Sequence, residues 1–285
     1  MKDTRIALVQ MQAETGNVEG NLNKITEFVH AAAEQRVDMI CFPELCITGY
    51  NKSRGFLIPE KVPGSSSEAI QALSLRTGMV IMAGIPEEST LEKPYIAHLV
   101  LFPDGRIATY RKTHLGKSET DGFMPGENLP VFSGEMAQFG IGICWDMHFP
   151  ELSTVLALKG AEIIFAPHAS PRIMGNRRKS WLKYLPARAY DNGVYIAACN
   201  LVGSDGSGKE FCGGAMVLDP KGNVVAEAFD VGENLLVVDL SADPINRMRQ
   251  HERKVMSGSF FLDFRRPELY HNLTRNKPQS LFEEP

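Results

Sequence analysis

Apolar positions along the chain switch repeatedly between two periods. Residues 5–11 form a short continuous apolar run, as a buried strand does. From 18 to 37 the spacing changes. Leu22, Ile25, Val29 and Ala32 recur at steps of three and four and share one helical face. Residues 38–42 are again a short apolar run, stopped by Pro43. A strand, a helix and a strand in that order predict a parallel crossover unit. The alternation continues with strands over 79–85, 139–144, 162–166, 194–199 and 235–240. Helices are predicted over 66–77, behind serines able to cap it, over 150–159, over 177–191, and over 241–250 with Ser241 as cap. Two hairpins interrupt the series: 95–102 with 106–111 around Pro103-Asp104-Gly105, and 211–218 with 224–229 around residues 219–223. No repeat, low-complexity tract or linker divides the pattern. It predicts one α/β domain over residues 1–262, with helices on both outer faces of the sheet system. The polar tail, 263–285, lacks a period and is expected either to stay loose or to dock on a partner.

A chain of 285 residues buries enough surface to need no disulfide or metal for folding. Charged residues, at 22%, stand near the globular average, which argues against a disordered chain. The formal net charge of −4 offers no overall attraction to nucleic acid or anionic membranes, so neither is expected as a partner. No apolar run approaches the roughly 20 residues that span a bilayer. The run after the amino terminus is too short for a signal-peptide core. The cysteines, Cys41, Cys46, Cys144, Cys199 and Cys212, are sparse and odd in number, and read as reduced thiols of a cytoplasmic protein.

Three segments carry candidate chemistry. Glu44, in Phe42-Pro43-Glu44-Leu45-Cys46, follows a parallel strand, where a side chain points into the usual ligand crevice; a surface ion pair is the plainer reading. Lys112, in Tyr110-Arg111-Lys112-Thr113-His114-Leu115, is either a solvated charge or a fixed cation. Cys144 ends the apolar strand Gly140-Ile141-Gly142-Ile143, and a helix begins a few residues later. A nucleophile on such a turn is exposed near backbone N–H groups, whereas a buried strand cysteine would be inert.

Together these segments resemble the nitrilase superfamily of carbon–nitrogen hydrolases over residues 5–262. Glu44 sits in the family's Pro-Glu segment, with Gly49-Tyr50 after it. Lys112 sits in its Lys-Thr-His-Leu segment, and Cys144 in its Cys-Trp-Asp segment, completed by Phe149-Pro150-Glu151. Glu119 precedes Phe123-Met124-Pro125-Gly126, as the family's second glutamate precedes Phe-x-Pro-Gly. Arg188-Ala189, Asn192, Tyr195, Gly213 and Asp219-Pro220 match later landmarks; Ala215 departs, standing where many members carry Ser. Four catalytic landmarks in family order make the resemblance specific.

The resemblance implies a four-layer α-β-β-α sandwich and a Glu44, Lys112 and Cys144 triad, with Glu119 supporting it. In that scheme Glu44 takes the thiol proton as Cys144 attacks, and Lys112 with the Trp145 N–H stabilises the oxyanion. No metal or organic cofactor is required. Small linear amides or N-carbamoyl compounds are implied as substrates ahead of nitriles, whose users commonly carry Glu where Asp146 stands. Tyr50, Trp145, His168 and Arg172 are the candidate substrate contacts, Arg172 as a bidentate partner for a substrate carboxylate. A homodimer or a larger even-numbered assembly is implied as well. Other readings stay open: a metal site from Cys144, Asp146, His148 and His168, a Cys–His hydrolase using His114, His148 or His168, nitrile hydrolysis, and a non-catalytic binding or scaffold protein.

Overall fold

The structure, a computed structural model, describes residues 1–51, 58–250 and 259–274. The first half of the chain runs β1 (Thr4–Gln10), α1 (Val18–Glu34), β2 (Met39–Cys41), α2 (Ser65–Thr77), β3 (Val80–Glu87), β4 (Tyr95–Leu101) and β5 (Ile107–Arg111). The second half runs β6 (Phe132–Ser133), β7 (Gln138–Ile141), α3 (Pro150–Leu158), β8 (Ile163–His168), α4 (Arg177–Trp181), α5 (Leu185–Asn192) and β9 (Tyr195–Asn200). It continues through β10 (Val202–Ser204), β11 (Glu210–Cys212), β12 (Ala215–Leu218), β13 (Val224–Ala228), β14 (Asn234–Leu240), α6 (Asp243–Arg249) and α7 (His271–Thr274).

These strands build two six-stranded sheets, ordered β14-β1-β2-β3-β4-β5 and β13-β12-β9-β8-β7-β6, and a small β10-β11 ribbon. β1 and β2 pair in parallel across α1, as the first crossover predicts. Within the second sheet, alternation sorts side chains between two cores. Ile163, Phe165, Ala197 and Val217 face the first sheet, while Ile164, Ile196, Ala198 and Met216 pack under Leu152, Trp181 and Leu185. On the outer face of the first sheet, α1 buries Ile25, Val29 and Ala32, the face its spacing predicts. The result is the four-layer α-β-β-α sandwich.

Two predicted elements are broken, each for a local reason. The helix over 177–191 is two helices, because Pro186 lacks the N–H that a continuous helix needs and its ring would meet the Leu182 carbonyl. The chain turns instead through Lys183 and Tyr184, whose N–H groups reach back three residues to Ser180 and Trp181. The strand over 211–218 is also two, because Gly213 and Gly214 both adopt positive φ, 71° and 118°. Its first part pairs with β10, a strand absent from the sequence reading. At helix starts, Glu60 accepts from Ser66 N–H ahead of α2, and Ala242 rather than Ser241 is the cap residue of α6. Of the tail, residues 275–285 lie outside the described residues; the described part forms short turns and α7, with Phe264, Leu269 and Leu273 exposed.

Candidate active site

β2 and β3 run in parallel, and the chain leaves β2 through Pro43, Glu44 and Leu45. Leu45 takes a left-handed φ of 51°, a strained turn for a branched side chain. The turn lies against β3 because position 84 has no side chain: a Cβ there would stand 2.2 Å from Leu45 N. Glu44 is thereby carried into the interior, 1% exposed. Its Oε1 accepts from Lys112 Nζ at 2.7 Å and its Oε2 from Ala169 N–H at 3.0 Å.

Lys112 follows β5 directly. Its N–H donates to Ile96 O and its carbonyl accepts from Gly126 N–H, both at 2.8 Å, so the Phe123–Gly126 landmark helps to fix its backbone. Nζ also donates to Glu119 Oε1 at 2.9 Å. The same oxygen accepts from the Tyr50 hydroxyl at 2.6 Å, and Glu119 Oε2 from Gly116 N–H at 2.7 Å. Both Glu119 oxygens thus face protein donors, and the carboxylate is set to hold Lys112. An ammonium has three donors; two go to glutamates, which leaves one for the cavity.

Cys144 begins a 3-10 turn, Cys144–His148, between β7 and α3, with a φ of 48°. Its half-buried Sγ lies 3.8 Å from Ser170 Oγ. Asp146, fully buried two residues on, anchors this turn to the segment bearing Lys112. Its Oδ2 accepts from Ile143 N–H at 2.9 Å and Tyr110 OH at 2.7 Å. Its Oδ1 accepts from His114 N–H at 2.8 Å and Thr113 OH at 3.0 Å, with His114 Nδ1 also 3.0 Å away. Arg188 adds a clamp, donating to Met147 O and His148 O at 3.1 Å each.

Burial governs the proton affinities. It pushes the Glu44 carboxyl up to about 7, against the pull of Lys112 and with the help of the Glu119 charge. Burial also pushes the Cys144 thiol up to about 12; the Glu44 charge adds to this and Lys112 opposes it. For Lys112 burial works downward, but Glu44, Cys144 and Glu119 together outweigh it and hold the ammonium above the usual lysine value. At neutral pH the thiol is therefore protonated, and Glu44 sits near the midpoint of its titration.

Cys144, Lys112, Glu119, Tyr50, Trp145 and His168 all line one cavity of about 760 Å³, within the range of small-ligand sites. Glu44 stands behind this wall, bonded to Lys112. Arg172 is exposed and outside the lining; Arg177, one helical segment later, lines the cavity instead. His168 Nδ1 donates to Ala166 O at 2.7 Å and its Nε2 accepts from Trp181 Nε1–H at 3.2 Å, so neither nitrogen is free to act as base. Burial lowers its pKa well below the usual histidine value, with Arg177 adding to the effect. Asp146 is likewise taken up by hydrogen bonds. Among the described residues no three His, Cys, Asp or Glu side chains converge as ligands for a metal ion. Nor is any helix there long and apolar enough to cross a membrane. The sequence reading missed the anchoring role of Asp146 and the cavity-facing Arg177 and Tyr184. The contacts that anchor Asp146 are long-range and leave no local signal in the sequence.

A profile of the carbon–nitrogen hydrolase family matches residues 5–250, spanning β1 to α6 and every segment of this site. The chain belongs to the carbon–nitrogen hydrolases. Its similarity to individual members of that family extends over most of its length. A nitrilase of Pyrococcus abyssi is 31% identical over 241 residues, 83% of this hydrolase and 89% of that protein. An omega-amidase of Saccharomyces cerevisiae is 30% identical over 264 residues, 86% and 90% of the two chains. A mutant amidase of Nesterenkonia sp. AN1 in complex with butyramide superposes with a TM-score of 0.80 at 30% identity, covering 94% of this hydrolase and 96% of that chain. Another structure of that amidase carries the acetamide moiety of fluoroacetamide covalently on the active-site cysteine; it superposes with a TM-score of 0.81 at 29% identity, covering 94% and 96%.

Proposed function

We propose that this hydrolase cleaves the C–N bond of a small linear amide or N-carbamoyl compound, releasing ammonia through a thioester on Cys144. The observation that carries the reading is the Lys112 ammonium, buried between Glu44 and Glu119 on the wall that also presents the thiol. A thiol pushed up to about 12 is not a ready-made thiolate and needs a base at the moment of attack. Glu44, raised to about 7, is matched to that task near neutral pH.

Glu44 takes the Sγ proton while sulfur bonds the carbonyl carbon. The carbonyl oxygen gathers negative charge, met by the third Nζ–H of Lys112 and by the N–H of Trp145, an unpaired donor by its place in the first turn. Glu44 returns the proton to the leaving nitrogen as the C–N bond breaks. It next draws a proton from water, which attacks the thioester and expels Cys144 with that proton. Tyr50 and Glu119 keep the ammonium in place throughout. The relatives support an amide, since two of them are amidases by name and one of these holds butyramide. The exposed Phe264, Leu269 and Leu273 support a homodimer or larger even-numbered assembly closed over the carboxyl-terminal turns.

The test is an ammonia-release screen over ω-amides, N-carbamoyl amino acids, N-carbamoyl amines, aliphatic amides and nitriles, with Cys144→Ala alongside. Turnover of an amide or carbamoyl compound, abolished by Cys144→Ala, is expected. Release from nitriles alone would move the reading to nitrile hydrolysis. No release from any member, with no thiol labelling at Cys144, would favour a binding or scaffold protein.

A further inference from the structure

We propose that Arg177, with the Tyr184 hydroxyl beside it, forms an anion subsite in the catalytic cavity, and that the substrate is a linear amide carrying a carboxylate away from the scissile bond. The proposal rests on the amide-hydrolysis reading above and adds the class of amide.

Several cations follow β8, and their surroundings separate them. Arg178 Nε is paired with both oxygens of Glu227, at 2.9 and 2.8 Å. Arg172 and Lys179 are exposed and outside the cavity lining. Arg177 is 8% exposed, lines the cavity with Cys144, and makes no ion pair among the described residues. Its Nε is buried with no hydrogen-bond partner. The Tyr184 hydroxyl is buried without a partner too, and Tyr184 lines the same cavity. The hydroxyl lies close enough to the guanidinium to feel its charge, yet no oriented hydrogen bond joins them. Buried donors left unpaired, and a buried cation left unneutralised, are expensive unless something arrives to meet them.

The other charges of the cavity do not meet that need. Glu44 and Glu119 already accept from Lys112, Ala169, Tyr50 and Gly116. His148, whose ring lies tilted against Tyr184 with centroids 4.5 Å apart, has its pKa lowered by burial, then by Arg177 and Arg188, so it adds no anion and little charge of its own. What remains is the Arg177 Nε–H and the Tyr184 O–H, two unpartnered donors on one cavity, of the kind that hold a planar carboxylate. The exposed faces of Trp145 and Met174 line the space shared with Cys144 and suit a short aliphatic chain.

Succinamate and its hydrocarbon isostere 4-methylpentanamide are compared as substrates of the wild type, Arg177→Gln and Arg177→Lys. Homologues one methylene shorter and longer separate reach from charge, and N-carbamoyl-β-alanine provides a carbamoyl acid. The wild type should favour the acids over their isosteres by about ten- to a hundred-fold in kcat/KM. Arg177→Gln should collapse that ratio, mainly through KM, and Arg177→Lys should restore part of it. A wild-type ratio near one overturns the proposal whether or not a variant folds, and so does a ratio kept by a folded Arg177→Gln. Calorimetric binding of succinate separates the two readings. If no amide is hydrolysed but succinate binds the wild type and not Arg177→Gln, the subsite stands and the amide reading falls. If amides are hydrolysed without acid preference and succinate does not bind, the amide reading stands and the subsite falls.

Discussion

Asp146→Asn removes one negative charge and exchanges one acceptor oxygen for an NH2 group, at a fully buried position. If the new amide nitrogen takes the place of Oδ2, the Tyr110 hydroxyl can rotate to accept, but Ile143 N–H faces a second donor. If it takes the place of Oδ1, the Thr113 hydroxyl can rotate, but His114 N–H loses its acceptor. Either way one inward-facing backbone donor is stranded, and the surviving bonds lose their charge assistance. The expected cost is about 2–4 kcal/mol, or roughly 4–16 °C in Tm for a domain near this size. The anchor also joins the turn of Cys144 to the segment of Lys112, so loosening it misplaces the thiol proposed as nucleophile against the ammonium. Misplacement of about 1 Å is enough for a fall of roughly 10²-fold in kcat. Thermal melting followed at equal folded fraction by ammonia release separates the two effects. A variant as stable and as active as the wild type would refute the anchoring argument.

In the proposed mechanism Glu44 acts as base only when deprotonated, and burial raises it to about 7, so the pH–rate profile should show an acid limb near 7, with kcat/KM falling about tenfold per pH unit below it. Since that native value lies above the unfolded 4.5, this group's contribution to stability is present at low pH and lost as pH rises through 7, opposite in direction to the activity. A limb at the ordinary carboxylate range would contradict the assignment. Glu119→Gln removes a charge that raises Glu44, so its acid limb should move to lower pH, and an unmoved or upward-shifted limb would contradict the electrostatic coupling.

The layer order was legible because strong local patterns carry it, and Glu44, Lys112, Glu119 and Cys144 stood out only as ordered motifs of a family, each having a plainer reading alone. In α1 the three-four spacing of Ile25, Val29 and Ala32 coincides with the buried face, and period-two alternation in β8 and β9 separates the two cores. Breaks were harder to read. Pro186 and the pair Gly213-Gly214 lay inside apolar patterns that looked continuous, and the backbone constraint won over the pattern. Long-range polar contacts left no periodic trace. Asp146 bonds Tyr110, Thr113 and His114 more than thirty residues away, and nothing local distinguishes it from a ligand or a solvated acid. Arg172 and Arg177 stand in one basic stretch, and only the turn after β8 decides that Arg177 is buried at the cavity while Arg172 is exposed outside its lining.

Rapid acid quench during turnover of an active amide, followed by intact-protein mass measurement and peptide mapping, tests the thioester on Cys144 most directly. The account predicts a transient mass gain equal to the amide less ammonia, located on the peptide of Cys144 and missing in Cys144→Ala. Turnover without any adduct on a protein trapped at steady state, or an adduct mapped to Cys41, Cys46, Cys199 or Cys212, would contradict it.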